Sequence, residues 1–173
     1  VPALCAHMLI DRGLLEPQAA VVGYWPESAM APVNSEITGT QLLSHHAALM
    51  FLDHAWPGDC YDWDAMVHAL ELQQPEWQPG SRGAYHSHTY GHLVGELIRR
   101  VSGKTPGRFL RDEIAGPLNI DYHIGLRDEQ LVRVTDLIRA PDFQFTIEDP
   151  AKAARAMKAM PEGADVTNED RFR

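Results

Sequence analysis

Most of the features that would narrow the function of this chain at once are missing from it. Only two cysteines, Cys5 and Cys60, occur in 173 residues, too few for a disulfide framework. Reduced thiols are therefore expected rather than a bridge. No run of about 18 apolar residues is present, so no membrane-spanning helix is encoded. No secretory leader pattern opens the chain, which tilts the expected location toward the cytoplasm. Basic residues are in the minority, with 15 Lys and Arg against 24 Asp and Glu for a net charge of −9. Neutralising a phosphate backbone needs a basic patch, so nucleic acid is not expected as a partner. The nearest candidate, Arg99-Arg100 with Lys104 and Arg108, reads as the solvated side of two helices. Period-2 alternation, internal repeats, Gly-x-Ser-x-Gly, His-Glu-x-x-His and a glycine-rich phosphate loop are absent as well.

What remains is the composition of a globular domain. Hydrophobic residues make up 45% and charged residues 23%, enough to build one core in a single domain. The punctuation predicts helices. Pro2 and Gly13 bracket one over residues 2–12, with Ala3, Leu4, Met8 and Leu9 as its apolar stripe. A short helix is expected over residues 40–44. Asp62 is placed to cap another that runs to about Gln73, with Met66, Val67 and Leu70 inward. Leu93, Val94, Leu97, Ile98 and Val101 form the buried stripe of a helix over residues 89–101, ended by Gly103. Thr105-Pro106 starts the next, with Phe109, Leu110 and Ile114 apolar, and Gly116-Pro117 stops it. Residues 130–138 suit a short helix, and Asp149-Pro150 begins a last one that runs to Met160. Residues 28–35, rich in Ser, Ala, Pro and Asn, read as a flexible loop, and residues 162–173 as a poorly ordered tail. The fold class expected is mainly α.

The most informative stretch is Tyr85-His86-Ser87-His88-Thr89-Tyr90-Gly91-His92, where a tyrosine stands immediately before an amphipathic helix. Trp77-Gln78-Pro79-Gly80-Ser81 precedes it, and Gln41-Leu42-Leu43-Ser44-His45 lies upstream. With Ala6 to Leu15 and Phe109 to Leu118 in the same order and spacing, the chain resembles the serine hydrolases that include class C β-lactamases, penicillin-binding DD-peptidases and related esterases. The resemblance implies the helical domain of a β-lactamase/transpeptidase-like fold, with the α/β sheet domain largely missing. It implies that Tyr85 is a catalytic acid/base. An unperturbed tyrosine phenol titrates at about pH 10 and acts as a base only where cations stabilise the phenolate. Two lysines from other segments do this in the family. It also implies that Ser87 takes a substrate-binding place where β-lactamases usually carry asparagine. A hydroxyl is shorter than an amide and offers one donor, which points to the esterase branch.

Three departures from the family pattern matter. The nucleophile motif Ser-x-x-Lys is nowhere in the chain; by the same resemblance it would end a few residues before Val1, making residues 1–13 the remainder of the nucleophile-bearing helix. Ala47-Ala48-Leu49 stands where relatives often have a glycine, so a different loop conformation is expected there. His45 itself is expected to be structural. Ser102-Gly103-Lys104 has its lysine two residues after the serine rather than three, and His123-Ile124-Gly125 falls too early to be the family's later strand motif.

His86, His88 and His92 form an H-x-H-x3-H pattern, and Glu96 continues the face of His88 and His92. The pattern lacks a third strong ligand with a fixed second shell, so packing histidines are expected, with neither metal nor cofactor. The function expected is part of a serine hydrolase, a carboxylesterase rather than a β-lactamase, acting on a small ester or amide, with this chain alone inactive. The alternative is a non-catalytic binding or scaffold homologue. Helices cut off from a sheet domain would expose apolar faces, so self-association is a further expectation.

Overall fold

The computed structural model describes residues 1–135 and 149–160. About half of it is helical, and no strand or sheet occurs among the described residues. Seven α-helices are described among them: α1 (Pro2–Asp11), α2 (Gly39–Leu43), α3 (Trp63–Leu72), α4 (Tyr90–Ser102), α5 (Pro106–Leu110), α6 (Asp128–Leu131) and α7 (Pro150–Ala156). None is long and apolar enough to cross a membrane.

The local signals start α3, α5 and α7 and stop α4 as expected, although α7 ends at Ala156 rather than Met160. The Asp62 carboxylate accepts from the Asp64 and Ala65 amides at 2.9 and 3.0 Å, which satisfies two orphan donors of α3. Thr38 and Gln41 cap α2 reciprocally. The Thr105 hydroxyl caps α5, and the Asp149 carboxylate caps α7. Gly103 ends α4 at φ +70°, a left-handed turn that only glycine enters without cost.

Helix α4 is the centre of the core. Leu93, Val94, Leu97 and Ile98 are all buried, and α1, α3 and α5 pack around them. A Cβ at Gly95 would meet the Trp63 ring at 2.6 Å and Pro106 at 2.9 Å, so glycine lets α3 and α5 close onto α4. Against α4, helix α1 buries Cys5, Ala6 and Leu9, whereas Leu4 is half exposed. That corrects the stripe expected from the sequence. The face chosen carries two small residues, Cys5 and Ala6, that let the helices approach closely. No disulfide joins Cys5 to Cys60.

Residues 28–35 are not an open loop. They form two 3₁₀ turns, Pro26–Met30 and Pro32–Glu36, in which Ser28 and Asn34 are buried. Both prolines fix φ for a turn start, and each polar side chain donates to a backbone carbonyl, although Asn34 Oδ1 has no partner among the described residues. Ser28 Oγ donates to the Trp25 carbonyl at 2.6 Å, and Asn34 Nδ2 to the Gln73 carbonyl at 3.0 Å.

Charged groups fasten the far half of α4. Glu96 is fully buried; one carboxylate oxygen accepts from Trp63 Nε1 at 3.0 Å and Arg99 Nε at 2.6 Å. The other accepts from Arg99 at 2.8 Å and Arg100 Nε at 2.7 Å. Burial pushes the Glu96 pKa up, yet the hydrogen bonds from Arg99, Arg100 and Trp63 outweigh it and hold it below the usual value. Arg100 also reaches Glu27 at 2.7 Å, and buried Glu71 accepts from Trp25 Nε1 at 2.8 Å.

Beyond α5, a π-helical turn (Arg111–Ala115) leads into a segment with Leu118, Ile120, Tyr122, Ile124 and Leu126 exposed. Of the helix expected over residues 130–138, only residues 130–131 are helical, as the end of α6, and residues 132–135 are not; its remainder and the expected tail over 162–173 lie outside the described residues. Helix α7 returns to the body through Arg155, which pairs with Asp53 and Glu76 and lies 4.2 Å from the Phe51 ring.

Candidate active site

Two stretches, residues 45–49 and 84–89, lie side by side at the N-terminal end of α4. They are joined without forming a sheet. The Ala84 amide donates to the His45 carbonyl at 3.0 Å, and the His86 amide to His45 Nδ1 at 3.2 Å. In return, the Leu49 amide donates to His86 Nε2 at 3.0 Å, and Thr89 Oγ1 to the Leu49 carbonyl at 2.7 Å. Thr89 precedes α4 but makes no side-chain cap, because its hydroxyl is used across the junction. The Gly80 amide adds a bond to the His46 carbonyl at 2.8 Å.

This junction needs unusual backbone angles. His45 has φ +61° and Ala48 φ +59°, both in the left-handed region. A Cβ there costs about 1–2 kcal/mol. The loop makes the left-handed turn that glycine would favour and does so with alanine at position 48.

Tyr85 sits between the two anchored residues and is 77% exposed. Its ring lies 5.0 Å from the His45 ring, and the other face of the cluster is Tyr90, whose ring is 4.4 Å from His45. Burial pushes the Tyr90 phenol up, with the neighbouring Tyr85 adding to the effect, and its hydroxyl points to the Leu43 carbonyl at 3.5 Å. Tyr90 is thus a packing residue and Tyr85 the presented one. Ser87, two residues on, is exposed as well.

His86 is 1% exposed, and its two ring nitrogens are both committed. Nδ1 faces the Ala84 carbonyl at 2.7 Å and so carries the proton, leaving Nε2 to accept from Leu49. Burial pushes its pKa down, against a smaller upward pull from the Ala84 carbonyl. His45 is lowered by burial and by His46, His88 by burial, and His92 by burial. The H-x-H-x3-H pattern does not converge. His92 lies against Trp63 at 5.0 Å, and Glu96 spends both oxygens on Trp63 and the arginines. Among the described residues, no three His, Cys, Asp or Glu side chains are grouped to hold a metal ion.

The two near-matches to catalytic motifs have structural uses. Ser102 Oγ donates to the Ile98 carbonyl at 2.6 Å, and Lys104 pairs with Glu113 at 2.7 Å. His123 is paired with Asp121 at 2.9 Å on an exposed segment. The role of His86 was not legible in the sequence, because an imidazole that accepts from a backbone amide has no spacing signature.

A helical body that presents a tyrosine just ahead of its central amphipathic helix is the helical portion of a β-lactamase-like serine hydrolase fold. Residues 1–164 match the family model Beta-lactamase, and the chain belongs to that family. It is 34% identical over 143 residues to the esterase/beta-lactamase LipL of Mycobacterium tuberculosis, covering 82% of this chain and 33% of that protein. Among solved structures it is similar to a penicillin-binding protein homolog from Caulobacter crescentus, with 40% identity and a TM-score of 0.83 over 94% of this chain and 45% of that one. A family VIII carboxylesterase has 32% identity and a TM-score of 0.83 over 99% of this chain and 46% of that one. The chain thus spans a third of the curated relative and under half of these solved structures.

Proposed function

We propose that these residues form the tyrosine-bearing helical domain of a serine hydrolase, and that its substrates are small carboxylic esters in preference to β-lactams. The observation that carries the reading is Tyr85 itself. An aromatic residue 77% exposed gains little from burial, yet the residues on both sides of it are hydrogen-bonded to a fixed framework. Such a cost in order is what an acid/base group in a site requires.

In the reaction, a serine hydroxyl attacks the ester carbonyl while the Tyr85 phenolate accepts its proton. The tetrahedral intermediate then collapses, the alcohol leaves with the proton returned by Tyr85, and an acyl-serine remains. Water repeats the sequence and releases the acid. The chain carries no Ser-x-x-Lys, and its three lysines lie elsewhere: Lys104 is held by Asp112 and Glu113, Lys158 by the Asp53 carbonyl, and Lys152 is exposed on α7. The parent protein must supply the serine and the lysines that would stabilise the phenolate, and the 173-residue chain by itself is expected to be inactive. The esterase preference rests on Ser87, whose single short donor serves a substrate amide less well than an asparagine amide would.

The test is turnover of a nitrophenyl ester and of a chromogenic cephalosporin by the parent protein. Ester hydrolysis that falls about 10²–10⁴-fold in Tyr85→Phe is expected, with weak cephalosporin turnover. Undiminished hydrolysis in Tyr85→Phe would remove Tyr85 from the chemistry.

A further inference from the structure

We propose that His45 is the positioning residue for Tyr85: by holding the backbone on both sides of it and packing its tilted ring against the phenol ring, His45 fixes where the phenol points. The inference rests on the acid/base reading of Tyr85 for its catalytic consequence, but the geometry stands by itself.

The amide before Tyr85, that of Ala84, ends on the His45 carbonyl at 3.0 Å. The amide after it, that of His86, ends on His45 Nδ1 at 3.2 Å. One residue therefore receives both bonds that bracket Tyr85. A single residue brings its carbonyl and its imidazole to the same flank here because His45 lies in the left-handed region at φ +61°. Since Nδ1 accepts, the neutral ring carries its proton on Nε2. The ring itself fills the space between Tyr85, at 5.0 Å, and the half-buried Tyr90, at 4.4 Å. The row of tilted ring contacts runs from Tyr90, which reaches the Leu43 carbonyl, through His45 to the exposed Tyr85.

Exposure makes this bracket decisive. A buried tyrosine is oriented by packing on every side, whereas Tyr85 is 77% exposed and has no such cage. His86 is fixed independently, by the Ala84 carbonyl and the Leu49 amide. Loss of the His45 ring would therefore remove the anchor after Tyr85 and the contact against its ring, while the Ala84 bond to the carbonyl of residue 45 and the framework behind it stay in place.

Two substitutions separate the contributions. Asparagine tolerates the left-handed region, and its side-chain oxygen can stand in for Nδ1 as acceptor from the His86 amide, but it has no ring to set against Tyr85. Leucine removes both the acceptor and the ring. With the tyrosine rings of the 173-residue chain labelled, the Tyr85 signal is assigned by its loss in Tyr85→Phe. Cross-relaxation between the Tyr85 and His45 rings is expected, and His45→Asn should shift Tyr85 and Tyr90 while leaving Tyr24 unmoved. A Tyr85 signal indifferent to His45→Asn overturns the proposal, and this variant also serves if His45→Leu fails to fold.

In the parent enzyme, His45→Leu should lower kcat about 100-fold with KM nearly unchanged, the loss that a displacement of about 1 Å can produce. His45→Asn should recover most of it. A loss confined to KM, or no loss, overturns the positioning role. A parent with no serine-dependent turnover defeats the acyl-enzyme reading instead, and the ring signals then decide the role of His45 without it.

Discussion

Helix α4 is fastened by different chemistry at its two ends. Ahead of its N-terminus every bond is between neutral groups: His45 accepts from the Ala84 and His86 amides, His86 from Leu49, and Thr89 donates to the Leu49 carbonyl. In its C-terminal half the bonds are ionic, with Glu96 held by Arg99 and Arg100 and Arg100 reaching on to Glu27. Neutral hydrogen bonds weaken steeply when misaligned, so they specify direction. Charge pairs tolerate displacement, but they leave a costly group behind when one partner is removed. The end that carries Tyr85 uses the first kind. The end buried against Trp63 uses the second.

The contrast breaks most visibly at Glu96. Replacing it with alanine leaves Arg99 and Arg100 without their shared acceptor and Trp63 without its own. A loss of about 3 kcal/mol is expected, at the low end for a broken buried pair because both arginines are part exposed. Urea unfolding measures it, and a change below about 1 kcal/mol would mean the network contributes little. At the other end, His86→Ala orphans the Leu49 amide and opens a gap in the junction. About 2 kcal/mol is expected in the same experiment, together with faster hydrogen exchange at Leu49.

Acid should sharpen the difference. His45, His86, His88 and His92 all have pKa values lowered from 6.5 in the fold. The unfolded chain therefore binds protons first as pH falls. Their contribution is complete above about 6.5 and is lost as pH falls toward the folded values. Asp53 behaves on a separate scale, because the Arg155 guanidinium chiefly holds its pKa at about 2 against a usual 3.8. Its contribution is intact above about pH 4 and disappears only near its folded value. Melting curves between pH 7.5 and 5 should show a falling midpoint, with a shallower slope in His86→Gln. A flat profile would contradict the locked imidazoles. The smallest effect is expected at Ala48→Gly, where relief of φ +59° outweighs the lost methyl by less than about 1 kcal/mol. A clear destabilisation there would show that the turn is unstrained.

Legibility in the sequence followed the range of the interactions. Asp62, Thr105, Asp149 and Gly103 could be read because a cap acts within one helical turn. The buried stripe of α4 was legible for the same reason. The face of α1 was not, since Leu4 is apolar by composition and only the approach of α4 turned Cys5 and Ala6 inward instead. Residues 28–35 read as a loop because Ser and Asn are ambiguous until a partner such as the Gln73 carbonyl is near. Glu96 read as a possible extension of a histidine face, and the indole of Trp63, distant in sequence, claimed it.

By itself the sequence determined the mainly helical class, the caps that start α3, α5 and α7, the stop of α4 and the family, because each is encoded in spacing that survives without knowledge of the fold. It also singled out Tyr85 and Ser87, by their place before α4. Only the tertiary structure decided that His45 brackets Tyr85, that His86 is a neutral acceptor, and that position 48 turns left-handed. Those facts join residues about forty apart in the chain, and hydrogen bonds across such a distance are set by how the segments meet rather than by what either one contains.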